Sequence, residues 1–387
     1  MVSGSDPFQT LQLTDEEQQD CYDRAFQLLD RTLRSYDEKD DQAEHGRSHT
    51  PLPHSNLDNT RWKLLKTQEN ASLYKERNSC TLQDYNLLGG DWKDPVVLLM
   101  AGTINGDLDG IVFGLETPDS SALRTRLALF TKQPVDCAVL AQLAGPTEAD
   151  PFRFLGITRM VYNHKWPLKA MIKRRDFVTL TATGTMTRAN GDRIGYEVVQ
   201  PVKLQRCPPL SGTVIRGKVM YATILKQQEP GTVDVYIHTY VETQGFILDK
   251  LVMAVTWRAN IGCWSANKLV EMKKLQWYIA NCRSERQKQQ QRAYPSARSI
   301  CRQCYDRRGL VRRRGSGIYD YDGTCVLCTF PMCYKCRVEK TLEILDENSG
   351  RLKRQLVLVC QPCWMFVQTL CPMAIARLNY KQRQRQL

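Results

Sequence analysis

The chain has 387 residues and a formal net charge of +13 at pH 7. This length fits two domains of unequal size better than one. The longest apolar run, near Val96–Ala101, is far shorter than the roughly 20 residues that a membrane-spanning helix requires. No basic start followed by an apolar run is visible after Met1, as a secretory signal would need. These features argue against a transmembrane span and predict a cytoplasmic protein.

The positive charge is concentrated in the C-terminal third. Residues 283–387 hold 21 Lys and Arg against 8 Asp and Glu, whereas residues 1–282 hold 33 of each sign. Such a field attracts anionic surfaces, either phospholipid headgroups or nucleic acid. Because no helix combines basic residues with base-reading geometry, we expect a peripheral contact with endosomal or other anionic membranes rather than nucleic acid. A solvated basic linker would show the same charge, so that interpretation stays open.

The N-terminal half begins with helical and then strand-like patterns. Thr14–Glu17 has the sequence of a capping box, and apolar residues spaced three to four apart predict a helix that ends near Asp37. A polar loop over residues 38–60 follows. The next predicted strands are Trp62–Thr67, Ala71–Arg77 and Pro95–Thr103, and the next predicted helices are Gly106–Leu115 and Ser120–Phe130.

From residue 152 the pattern becomes that of an antiparallel sheet, with Asn190-Gly191 and Pro230-Gly231 at hairpin positions. The predicted strands are Phe154–Tyr162, Phe177–Arg188, Arg193–Leu204, Ser211–Gln227, Val233–Thr243 and Lys250–Trp257. A long helix capped by Ser265 closes this part of the chain. The predicted fold class is therefore α+β.

Eight of the fifteen cysteines form four Cys-x-x-Cys pairs. These are Cys301/Cys304, Cys325/Cys328, Cys333/Cys336 and Cys360/Cys363. Eight thiolates suffice for two tetrahedral zinc ions. Four disulfides are the alternative, which a reducing compartment disfavours. We therefore predict two bound Zn²⁺ ions.

The first domain resembles the START family of lipid-binding domains over residues 14–282. The resemblance lies in Trp62-Lys-Leu-Leu-Lys with Ala71-Ser-Leu-Tyr-Lys, in Lys165-Trp-Pro leading to Arg175-Asp-Phe-Val, in Cys207-Pro-Pro-Leu-Ser-Gly-Thr-Val-Ile-Arg-Gly, and in the element order. It implies a helix-grip fold in which a curved sheet and the last helix enclose an apolar tunnel for a lipid or other apolar ligand. The lining would come from Phe177–Met186, Tyr221–Leu225, Val235–Tyr240 and Trp264–Ile279. A solid core would need the same alternation, so both interpretations stay open.

The cysteine spacing C-x2-C-x20-C-x2-C-x4-C-x2-C-x23-C-x2-C resembles the FYVE zinc finger family. The resemblance implies a small cross-brace domain over residues 301–367. The composition of residues 283–300, rich in Gln and Arg, predicts a linker, with an extension of the preceding helix as the alternative, and residues 368–387 form a basic tail. It also implies interleaved ligation. Cys301, Cys304, Cys333 and Cys336 would bind one zinc ion, and Cys325, Cys328, Cys360 and Cys363 the other.

The FYVE headgroup pocket is not retained in the sequence. Tyr321-Asp-Gly-Thr324 stands where that family has its basic motif, and Val326 stands where it has an arginine. An aspartate at such a position repels a phosphate. Specificity for phosphatidylinositol 3-phosphate is therefore not expected.

We expect a non-enzymatic, intracellular zinc-binding adaptor with a lipid-binding domain. The alternative is a protein–protein interaction scaffold; the spacing and the missing histidine argue against a RING ubiquitin ligase. A cavity enzyme of similar fold would need carboxylates, and the sequence offers Asp176, Glu197, Asp234 and Glu242. Exposed strand positions explain these four equally well, and no phosphate loop, nucleophile elbow or His-Glu-x-x-His pattern is present.

Overall fold

The structure is a computed structural model. It describes residues 8–45, 57–77, 88, 91–131, 136–162, 173–210, 214–242, 249–293, 323–346 and 351–385. Within these residues, none of the helices combines the length and the apolar character needed to cross a bilayer.

One large sheet dominates the N-terminal part. Its strands are β1 (Trp62–Gln68), β2 (Ala71–Glu76), β3 (Val96–Asn105), β4 (Asp136–Ala144), β5 (Phe154–Tyr162), β6 (Arg174–Thr187), β7 (Arg193–Pro201), β8 (Val214–Arg216), β9 (Lys218–Glu229) and β10 (Thr232–Glu242). The strand order is β1-β2-β3-β10-β9-β7-β6-β5-β4, and β8 pairs with β6. All neighbours along this order are antiparallel, as the short connections predicted.

The sheet is covered on both faces. Helix α1 (Asp15–His45) packs on the first face, where Leu28 and Tyr36 share a core cluster with Tyr236 of β10. The predicted capping box is present, since the Thr14 amide donates to Glu17 Oε2 at 2.9 Å and the Glu17 amide donates to Thr14 Oγ1 at 3.2 Å. The helix does not end near Asp37 as expected but continues to His45. The residues after Asp37 are mostly good helix formers, and neither Gly nor Pro interrupts them before Gly46.

The second face packs against a layer of helices. These are α2 (Leu108–Leu115), α3 (Ser120–Thr131), α4 (Asp249–Asn260) and α5 (Ala266–Ala293), with a short 3₁₀ turn at Ile261–Ser265. We call this second face of the sheet, which includes Val235 and Ile237 of β10, the gripped face. On β10 the alternation is clear, because Val235 and Ile237 share the core cluster of Leu269 and Leu275 of α5, whereas Tyr236 faces α1.

One predicted element was wrong, and one strand was missed. Lys250–Trp257 is not a strand but lies in α4. Its buried residues Val252, Thr256 and Asn260 recur every four positions, so packing against one helical face outweighs the β-branched composition. The sequence reading also missed β4, which adds an edge strand beside β5.

The C-terminal part packs against the N-terminal part of the chain. It contains the hairpin of β11 (Arg337–Asp346) and β12 (Arg351–Cys360), followed by α6 (Gln361–Thr369) and α7 (Pro372–Gln384). Helix α5 continues to Ala293, into the segment predicted as a linker, and α7 occupies the segment predicted as a basic tail. The domain boundaries themselves stay predictions.

Candidate metal centre and ligand-binding face

Four cysteines that are distant in sequence meet in the C-terminal part. The Sγ atoms of Cys325, Cys328, Cys360 and Cys363 all lie within 4.8 Å of one another, and those of Cys328 and Cys360 are 3.7 Å apart. A tetrahedral zinc ion with Zn–S bonds of about 2.3 Å places its sulfurs about 3.8 Å apart. A disulfide would need about 2.05 Å, and none of the four is in a disulfide. The spacing therefore fits a metal ion.

Local backbone geometry presents these sulfurs. The loop Cys325–Cys328 closes through a hydrogen bond from the Thr329 amide to the Cys325 carbonyl at 2.8 Å. Cys360 ends β12 and Cys363 lies in the first turn of α6, so the strand–helix junction supplies two ligands. The Cys360 amide donates to Cys325 Sγ at 3.3 Å, the kind of contact that stabilises a thiolate in a metal site. The pKa of the Cys325 thiol lies well below its usual range because the Cys328 thiol, and then Cys360 and Cys363, hydrogen-bond to it.

The second predicted zinc site is only partly within the described residues. Cys333 and Cys336 are buried, and the Cys336 amide donates to the Cys333 carbonyl at 3.0 Å, which closes a similar short loop. Cys301 and Cys304 lie outside the described residues. This ligand set, and with it the FYVE-like cross-brace, stays a prediction.

The gripped face of the sheet is polar at its centre. Residues directly opposite one another on paired strands share a face, and the register aligns Thr183, Glu197, Thr223 and Ile237 across β6, β7, β9 and β10. Threonines also continue the polar surface along β5 and β6, where the Thr158 hydroxyl lies 2.9 Å from that of Thr179. Several positions predicted to line a tunnel therefore carry hydroxyls instead of apolar groups.

A buried ion pair crosses from α3 to this polar centre. The Arg126 guanidinium donates to both carboxylate oxygens of Glu197, at 2.8 and 2.7 Å, and to the Leu115 carbonyl at 2.7 Å. The two side chains are only 10% and 12% exposed. Burial disfavours the charge on Arg126, but the charge and hydrogen bonds of Glu197 outweigh it and raise the pKa of Arg126. The Arg126 guanidinium is therefore charged, and it lies against the carboxylate of Glu197.

Further polar side chains surround the pair. Burial raises the pKa of the Cys263 thiol to about 12. Burial, reinforced by the Glu197 charge, also raises the pKa of the Tyr221 hydroxyl well above its usual value. Both groups are therefore neutral at physiological pH. Among the described residues, the buried hydroxyl of Thr223, which lies beside Glu197 on the sheet, has no hydrogen-bond partner.

A small apolar cluster lies beside this polar centre. Around buried Leu123 and Cys137 lie Leu127, Val139, Met160 and Tyr162, all of them only partly buried. Sequence reasoning missed Arg126 altogether. The sequence could have indicated it, because this arginine lies on the same side of α3 as Leu123, Leu127 and Phe130.

The other predicted carboxylates do not reach this face. Asp176 is fully buried between Arg159 and Arg216, at 2.8 Å from each. Asp234 accepts a hydrogen bond from the Tyr36 hydroxyl at 2.9 Å, and Glu242 lies 3.4 Å from Lys218 Nζ. These contacts give the three carboxylates structural roles. Of the four, Glu197 alone lies on the gripped face.

Comparisons with known proteins give limited guidance. No family model and no curated protein matches the chain. Human StAR-related lipid transfer protein 5 is similar at 14% identity, with 65% of this chain and 97% of that chain covered and a TM-score of 0.44. Human STARD10 is similar at 13% identity, with 55% and 74% covered and a TM-score of 0.38. The lipid transfer and protein localization domain of human StarD13 is similar at 15% identity, with 53% and 86% covered and a TM-score of 0.35.

At these identities and TM-scores, the likenesses establish neither a shared fold nor a ligand. The chain's own fold and site define its class. It is an α+β protein whose large antiparallel sheet packs between α1 and a layer of helices. Its C-terminal part carries a four-cysteine centre suited to a metal ion.

Proposed function

We propose that this chain is a non-enzymatic, zinc-binding adaptor that holds a lipid or other apolar ligand between the gripped face and helices α3–α5. The observation that carries this proposal is the Arg126–Glu197 pair set among partly buried apolar residues. The START resemblance of the sequence agrees with it.

A solid core is a poorer explanation of this region. Protein interiors are close-packed, and buried polar atoms nearly always have partners. Here Met160 and Leu127 are only partly buried, and within the part of the chain that the structure describes the buried Thr223 hydroxyl has no hydrogen-bond partner. A ligand with an apolar body and a small polar group would cover these apolar side chains and give the Thr223 hydroxyl a hydrogen-bond partner.

The charge balance favours an uncharged polar group on that ligand. Glu197 already neutralises Arg126 through two hydrogen bonds. A second anion beside Glu197 would have to be desolvated without a free counter-charge, which is unfavourable in a buried site. Hydroxyl or carbonyl groups of neutral lipids would meet the Tyr221 and Thr223 hydroxyls without that penalty.

For the C-terminal part we propose two zinc ions with a structural role. Cys325, Cys328, Cys360 and Cys363 would hold one, and Cys301, Cys304, Cys333 and Cys336 the other. Ligation of about 10 kcal/mol or more per site would add to the stability of this region. Peripheral contact with anionic membranes is part of the proposal, without preference for phosphatidylinositol 3-phosphate.

Lipid extraction tests the ligand proposal. Delipidated full-length protein would be mixed with liposomes of phosphatidylcholine, phosphatidylserine, diacylglycerol and cholesterol, recovered, and analysed by native mass spectrometry. We expect a one-to-one complex with a neutral lipid. Recovery of empty protein alone would refute the proposed ligand binding, and a complex with phosphatidylserine alone would refute the preference for an uncharged group.

A further inference from the structure

The C-terminal module, residues 323–346 and 351–385, rests on the helices that cover the gripped face. The β11–β12 hairpin contacts α3 and α5, α6 contacts α5, and α7 contacts α2 and α5. Apolar residues of the module, including Leu342, Val359 and Trp364, belong to the same core cluster as Leu269 and Leu275 of α5. The module and the helical cover therefore share one apolar core.

Polar contacts also join the module to helices α3 and α5 of this cover. Arg383 of α7 lies 2.9 Å from Asp119 Oδ2, while Asp119 Oδ1 accepts the Ala122 amide at 2.9 Å and so caps α3. On α5, the Lys274 ammonium donates to the Gln368 carbonyl of α6 at 3.0 Å. The start of α3 is thus tied to α7, and the middle of α5 to α6.

The metal centre connects three parts of the module: the Cys325–Cys328 loop, the β11–β12 hairpin and helix α6. Cys325 and Cys328 form one loop, and the Val326 amide of that loop donates to the Leu358 carbonyl of β12 at 2.8 Å. Cys360 and Cys363 connect β12 to α6. An isolated two-stranded hairpin is marginally stable, so the metal would hold the hairpin, the loop and α6 in one arrangement.

We propose that the metal-supported module acts as a clamp that keeps α3, and with it Arg126, closed over the gripped face. This inference rests on the proposed function, because it concerns access to the same ligand site. Loss of the metal loosens the hairpin and α6, and α3 then loses the surface that holds it from outside. The bound lipid exchanges faster as a result.

Hydrogen exchange measures the clamp without any ligand. Full-length protein would be compared with zinc bound and after treatment with a chelator. We expect amides of α3 to exchange about tenfold faster after chelation, while those of β6 and β7 keep their protection, because the sheet has its own core. Unchanged exchange in α3 would overturn the inference. Equal loss of protection in β6 and β7 would also overturn it, since the metal would then support the whole fold.

Lipid release gives the second measurement, with a variant that leaves the metal ligands intact. Asp119→Asn retains a good helix cap but removes the ion pair with Arg383, and Asp136→Asn is the matched control because Asp136 pairs with Arg174 of the sheet. Release of the lipid taken from the same mixed liposomes would be followed by native mass spectrometry. We expect chelation to speed release at least tenfold, Asp119→Asn to speed it about threefold, and Asp136→Asn to leave it unchanged.

The two proposals fail in different ways. If zinc-loaded protein extracts no lipid, the proposed ligand binding is wrong, and hydrogen exchange alone decides whether the metal holds α3. If lipid is extracted but neither chelation nor Asp119→Asn changes its release, ligand binding stands and the clamp is wrong.

Discussion

The ammonium of Lys340 lies 3.8 Å from the ring centroid of Trp364 and also forms an ion pair with Glu271 at 2.9 Å. One side chain of β11 therefore contacts both α6 and α5. Trp364 is the residue next to Cys363, so this contact connects the metal centre directly to the long helix of the N-terminal part.

Replacing Lys340 tests that connection. Lys340→Met keeps much of the aliphatic stem but removes the charge, so both the cation–π contact and the ion pair are lost. We expect the free energy of unfolding to fall by about 1–2 kcal/mol, mostly from the cation–π contact, because the ion pair is partly exposed. Urea unfolding followed by tryptophan fluorescence would measure it. Lys353→Met is the control, since Lys353 is 73% exposed in its pair with Asp346, and it should change stability by less than about 0.5 kcal/mol.

Breaking the buried pair of α3 and β7 should have a larger effect. Arg126→Met leaves the Glu197 carboxylate buried without its counter-charge, which costs about 3–5 kcal/mol. In the double variant Arg126→Met/Glu197→Leu no buried charge remains, so we expect a substantial part of that stability to return. Chemical denaturation of both variants would measure this difference. A loss below about 1 kcal/mol for Arg126→Met would mean that water solvates the pair, contrary to the burial described above.

Metal content tests the cysteine assignment. Cys363→Ser replaces a thiolate with a hydroxyl, a poor zinc ligand, and should lower the content from two zinc ions per chain to one. Cys371→Ser is the control, because Cys371 is exposed and outside the four-cysteine cluster; it should keep both ions. Elemental analysis of protein purified under reducing conditions without chelator would show this. Unmodified protein that contained no zinc would contradict the assignment.

The sequence was most informative where structure is decided locally. Turn chemistry located the hairpins, because Gly191 and Gly231 adopt φ values of +87° and +86° that few other residues tolerate. The spacing of cysteines marked the pairs, and the family resemblance grouped four that the structure brings together.

Other features depend on contacts that the sequence does not display. The segment around Val252 and Thr256 has β-branched composition, yet packing makes it a helix. Arg126 and Glu197 lie 71 residues apart, and only the completed sheet brings them together. The docking of α7 likewise depends on partners in the N-terminal part, such as Asp119. The sequence alone predicted only a basic tail there.

The close approach of α2 and α5 gives a last prediction, in which the sign of the effect is decisive. A Cβ atom added to Gly114 would lie 2.7 Å from the Ala266 carbonyl oxygen and 3.0 Å from Val270 Cγ2. A backbone oxygen cannot move unless α5 shifts, so Gly114→Ala should lower the free energy of unfolding by about 1–3 kcal/mol. In a helix with room for the methyl group, the same change would instead raise it by up to about 1 kcal/mol, because alanine is the better helix former. Thermal and urea unfolding would distinguish the two results, and a stabilised Gly114→Ala variant would show that α2 and α5 lie farther apart than described.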